Sequence, residues 1–195
     1  MFILYPALRP WHDESTAAGA LAALSASTWV PSHTFAMIGF ILVPLGLLAL
    51  AQAVAATRAG RTAVTAFVTS AIGAGLVLPY YGAEAFGLHA IATQAAANPQ
   101  IDLIAVANQV RFDPVAVSTF GVGLLALALG TALAAVAVWR SGLMSKLSAV
   151  PFALGFLLFL PQFFAPPAVR IGHGVLVGVG LLWLATTLWR TSPER

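Results

Sequence analysis

The chain has no cysteine. Disulfides, thiolate metal sites, iron–sulfur clusters and covalently attached c-type haem are therefore excluded, and any metal would need His, carboxylate, Met or backbone ligands. Charge is nearly as scarce: 8% of 195 residues are Asp, Glu, Lys or Arg, against about 25% in soluble domains. The calculated pI near 10 reflects few acids, six against nine bases, and not a basic face. No cluster of Lys and Arg is dense enough to track a nucleic acid backbone, so no nucleic acid partner is expected. HExxH, a phosphate-cradling loop and a defensible Ser/His/Asp order are also missing. Long apolar runs hold only Gln52, Gln162 and a few Ser or Thr, which argues against an ion-coupled transporter.

What remains is hydrophobic: 60% of the residues, with a mean hydropathy of +0.93. Charges gather at the ends of the apolar runs, and a crossing needs about 20 helical residues. The pattern predicts a single membrane domain (1–195), an all-α bundle of five transmembrane helices over 31–56, 62–86, 114–139, 147–164 and 168–190. Arg58, Arg61, Arg140, Lys146, Arg190 and Arg195 mark one side. His12, Asp13, Glu14, His33, Glu84, His89, Asp102, Asp113 and His173 mark the other. Six of nine basic residues share the first side, which should be cytoplasmic because short basic loops are retained there. That puts the N-terminus outside and the C-terminus inside a plasma membrane.

Residues 1–29 are expected as an outer-face segment, with a short helix after Asp13-Glu14-Ser15-Thr16. Phe2 to Leu8 is too short for a signal-peptide core and has no basic residue before it. It also reads as the last turns of a helix that begins earlier. Residues 90–113 read as an amphipathic outer interfacial helix, and Asp113-Pro114 as a cap and first-turn proline. Trp29, Tyr80 and Tyr81 fit an aromatic belt. Pro44 falls mid-span, where it would kink the helix.

Two halves of the chain correspond. His33-Thr34-Phe35 matches Ser118-Thr119-Phe120, Leu78-Pro79 matches Leu160-Pro161, and His89 matches His173, at offsets of 85, 82 and 84 residues. Units in one orientation would make a parallel internal repeat about an axis along the membrane normal.

The residues able to carry chemistry lie at the outer ends. His33, His89, His173 and Glu84 are competent to hold a divalent metal, or through two imidazoles a haem b between helices. The alternative is interfacial histidines bonded to backbone, water or headgroups. Glu84 is set among apolar neighbours, and an ionisable group at membrane depth is a functional candidate; Arg111 or Arg170 is its expected ion-pair partner, with Tyr80 and Tyr81 beside it. Gly172, Gly174, Gly178 and Gly180 form a small-residue face suited to close helix contact.

Leu4-Tyr5-Pro6-Ala7-Leu8-Arg9-Pro10-Trp11, then Asp13-Glu14, then Trp29-Val30-Pro31-Ser32-His33 resemble a loose group of small bacterial polytopic membrane proteins. These open a Leu/Gly-rich span with Trp-x-x-x-His. The resemblance covers about 50 residues; it implies a topology and no mechanism, and it singles out Trp29 and His33. The reading therefore leans to a non-enzymatic membrane protein: an accessory or structural subunit, or a small binding protein with an outward-facing polar pocket. Self-association or docking to a larger complex is expected. A metal- or haem-dependent redox protein or hydrolase at the outer leaflet is the alternative.

Overall fold

Three helices start on side-chain caps. Thr16 accepts from the Gly19 N–H, Asp102 from Ala105, and Asp113 from both Val115 and Ala116. Each satisfies backbone donors that a helix start leaves open. The computed structural model describes residues 1–191, and among these the regular structure is all helical. In order come α1 (Leu4–Leu8), α2 (Ala17–Leu24), α3 (Trp29–Ala53) and α4 (Gly60–Gly82). A π-helical turn (Ala83–Leu88) leads directly into α5 (His89–Ala97), followed by α6 (Leu103–Arg111) and α7 (Pro114–Ser141). The chain closes with α8 (Val150–Leu157), a 3-10 turn (Pro161–Phe164) and α9 (Pro167–Thr191).

Among the described residues, four helical rods are long and apolar enough to cross a membrane: Trp29–Ala53, Gly60–Ala97, Pro114–Ser141 and Pro167–Thr191. The stretch expected as a further span, 147–164, is broken instead. It holds the eight residues of α8 and the 3-10 turn. Pro161 supplies no N–H to continue the helical ladder. The broken segment nonetheless runs antiparallel along α9. Gly155 lies against Val177, Gly180 against Phe152, and Gln162 bonds Arg170.

The second rod is longer than the sequence pattern suggests. Expected to end at Phe86, it continues through the π turn to Ala97, 38 residues in all. Successive residues of the turn keep helical backbone, so no break separates α4 from α5.

Tight packing rests on glycine. A methyl group at Gly73 would lie 2.7 Å from the Gly123 carbonyl oxygen, and one at Gly130 would meet Ser70, so α4 and α7 touch backbone to backbone. On α9, Gly174 faces Phe2 and Pro6, Gly178 faces Ile3 and Gly180 faces Phe152, whereas Gly172 meets nothing within 4 Å.

α1 is not laid over the outside of the bundle. Phe2 is buried among Phe40, Phe156 and Phe159, with ring centroids 5.2, 5.5 and 6.0 Å away. A second, smaller core caps the polar end. There Ala20, Ala23 and Leu24 of α2 meet Leu88 and Ala92, Leu103 and Ala107 of α6, and Trp29. The region expected as one surface helix, 90–113, is therefore the end of the second rod (α5) and the short α6, both packed on α2. Arg61, Arg140 and Arg190 lie at helix ends opposite this cap, with Arg58 and Lys146 in the connecting loops, and Arg58 bonds the Arg140 carbonyl oxygen at 3.0 Å. Arg195 lies outside the described residues.

Candidate functional site

The cap and the bundle meet at a line of charges. Arg9 donates to the Tyr5 hydroxyl (3.0 Å) and to Glu14 (2.6 Å). Glu14 accepts in turn from Arg111 (2.8 Å), and Arg111 grips both oxygens of Glu84 at 2.6 and 2.9 Å. The four ionised side chains are only 11–18% exposed. Charges so far from water persist when paired and hydrogen-bonded. Burial pushes the Glu14 carboxyl up, but Arg9 and Arg111 outweigh that effect and hold it below its ordinary value. Burial likewise opposes the charges on Arg9 and Arg111. For Arg9, Tyr5 and Glu14 more than offset it; for Arg111, Glu84 and Glu14 do. Both guanidinium groups end above their ordinary values.

Glu84 is placed by the π turn. Such turns interrupt the i→i−4 ladder and often mark functional positions. Here the Glu84 carbonyl oxygen accepts from the Trp29 indole N–H at 2.8 Å. Trp29, expected as a lipid-facing anchor, is thus fully buried. Its N–H is satisfied inside the bundle by that carbonyl oxygen. Tyr81 is likewise 3% exposed, and half-buried Tyr80 donates to the Arg111 carbonyl oxygen and stacks on Phe120 at 4.2 Å.

These groups border a cavity of about 340 Å³. Its polar wall is Tyr5, Arg9, His33, Tyr81, Glu84, Arg111 and Arg170. Its apolar wall comes from the start of α7 (Phe112, Val117, Phe120) and the 3-10 turn region (Leu160, Phe163, Phe164). Arg170 does not reach Glu84. Its guanidinium lies 4.8 Å from the Trp11 ring and 5.3 Å from the Phe163 ring, and it bonds Gln162 at 3.1 Å. Four buried side-chain atoms lack a hydrogen-bond partner among the described residues: Arg9 Nε, Arg170 Nη2, Tyr81 Oη and Ser70 Oγ. The first three belong to residues of this one cavity. Tyr5 stands beside Tyr81, ring centroids 5.9 Å apart, and the two hydroxyls interact without a well-formed hydrogen bond.

The residues offered as alternative metal ligands do not form a cluster of three among the described residues. Each imidazole is engaged by a different carbonyl oxygen: His33 Nδ1 by Trp29 (2.8 Å), His89 Nδ1 by Leu24 (2.7 Å) and His173 Nε2 by Gly155 (2.7 Å). Only His33 shares the cavity with Glu84, and its ring lies 4.2 Å from that of Trp29, tilted by 36°. His89 joins α5 to α2, and His173 joins α9 to α8. The sequence pattern passed over Tyr5, Arg9, Trp11 and Glu14. A signal was there: Arg9 is one of three arginines at the polar end, flanked by Tyr5 and Trp11.

Fold and site together define an all-helical bundle whose four long apolar helices suit a membrane, with a charged cavity at one end. No family model, no curated protein and no solved structure matches the chain.

Proposed function

We propose that the chain is an integral protein of the plasma membrane and a small-molecule binding protein, with its cavity opening on the outer side. The observation that carries this reading is the set of three buried polar atoms, on residues of one cavity, that have no hydrogen-bond partner among the described residues. Buried polar groups left unpaired each cost about 1–3 kcal/mol, and a ligand with acceptors relieves that cost. In this reading the segment 147–164 makes a fifth crossing, supported by its antiparallel register along α9. The N-terminus is then outside and the C-terminus cytoplasmic, as the distribution of basic residues favours. The two halves matched in sequence become parallel units, α3 corresponding to α7. Self-association or a place in a larger complex fits the exposed apolar face of α9 (Val175, Val179, Leu182).

Mass spectrometry of the intact protein, gently extracted from native membranes, tests the binding reading. The expected result is an adduct of fixed mass that disappears when Val117→Trp fills the cavity. A bare chain, or an adduct indifferent to Val117→Trp, overturns it.

A further inference from the structure

We propose that the cavity takes an oxyanion, phosphate or carboxylate, carried on a hydrocarbon chain; this rests on the binding reading above and names the ligand class. Three features of the cavity point there together. First, of the unpartnered atoms Arg9 Nε and Arg170 Nη2 can only donate, and the Tyr81 hydroxyl can donate as well as accept. A ligand that satisfies all three must present several acceptors, as an oxyanion does. Second, three guanidinium groups (Arg9, Arg111, Arg170) face two carboxylates (Glu14, Glu84), which leaves one positive charge uncompensated. Arg170 has no carboxylate partner among the described residues. It is fixed between Trp11 and Phe163, so its orientation is set before anything binds. Charge-assisted bonds from a pre-oriented guanidinium are the strong kind.

Third, the cavity edge is hydrocarbon. Phe164 is 88% and Phe112 68% exposed, with Val117 and Leu160 also open. A small hydrophilic anion gains nothing from these groups. An alkyl chain leaving between the first turn of α7 and the 3-10 turn covers them, while its head reaches Arg170 and Tyr81. Each methylene that the chain buries against these groups strengthens binding.

Native mass spectrometry of the full chain in a neutral detergent, titrated with three probes, tests the assignment. The probes are dodecyl phosphate, dodecanol and inorganic phosphate. One dodecyl phosphate per chain is expected, bound at least about 10-fold more tightly than either other probe. Arg170→Gln is expected to weaken it by about 10- to 100-fold, and Tyr81→Phe by about 3- to 10-fold. Tyr81→Phe keeps the ring, so it reads the hydroxyl even if Arg170→Gln perturbs the fold. Equal binding of dodecanol overturns recognition of the anion, and equal binding of inorganic phosphate overturns the role of the chain. Affinity unchanged in both variants overturns the assignment to these residues. If no probe binds while the native adduct remains sensitive to Val117→Trp, the ligand class fails and the binding reading stands. If that adduct is absent as well, both fail.

Discussion

Glu84 holds Arg111 with both carboxylate oxygens, and the pair ties the π turn to the end of α6. Glu84→Gln leaves a guanidinium without half of its partners in a largely dry site. The expected loss is about 2 kcal/mol, seen as a lower thermal midpoint in detergent. The double variant Glu84→Gln/Arg111→Gln should lose less than the sum of the single ones, because the groups interact directly. Glu14 gives the site a pH limit. Its carboxyl is held below the ordinary 4.5, so its contribution is complete above that value and is lost as pH falls through the depressed one. Stability should stay level from pH 7 to about 5 and decline below about 4.5, and the decline should be shallower in Glu14→Gln; unfolding midpoints across that range are the check. At this scale the sequence revealed only part of the site. Glu84 stood out because an acid among apolar neighbours is conspicuous, and Arg111 followed as its partner. Arg9 and Glu14 looked like ordinary outer-face charges, since nothing local shows that Glu14 meets Arg111, 97 residues further along.

Helices α4 and α7 meet through glycine, and the contact discriminates among glycines that look alike in sequence. A side chain at Gly130 runs into Ser70 and backbone atoms of α4, whereas Gly75 and Gly121 have nothing within 4 Å. Gly130→Val is expected to destabilise the bundle by about 1–3 kcal/mol through overpacking. Gly121→Ala should be neutral or stabilising by up to about 1 kcal/mol from helix propensity. Comparing the thermal midpoints of the two variants decides the matter. Hydropathy located the long helices well: 31–56 and 168–190 lie within a few residues of α3 and α9. It did not show where helices break or run on. Residues 147–164 are apolar enough for a span, but Pro161 divides them; residues 83–97 are helical although polar groups enter, because Leu88 and Ala92 find a second core to pack into.

For the whole molecule, orientation is the open variable that single cysteines can fix, since the chain has none of its own. Ala105→Cys, exposed on α6, should react with a membrane-impermeant maleimide in intact cells. Ala56→Cys, exposed at the opposite end, should react only after permeabilisation; the reverse pattern would sink the orientation. The ion pair joining Arg111 to Glu14 also imposes an order on assembly. Synthesis delivers Arg9 and Glu14 first, and both stay incomplete while α3, α4 and the π turn are made. Glu84 arrives next, still lacking its cation. Only when residue 111 emerges can the line of charges close, and the apolar wall at Phe163 follows some 50 residues later. Ribosomes add about 5–20 residues per second, so the nascent cavity spends seconds with unmatched charges at its rim. A chaperone or insertase that shields this end during synthesis would act on that interval, and a chain stalled before residue 111 should be handed to proteolysis.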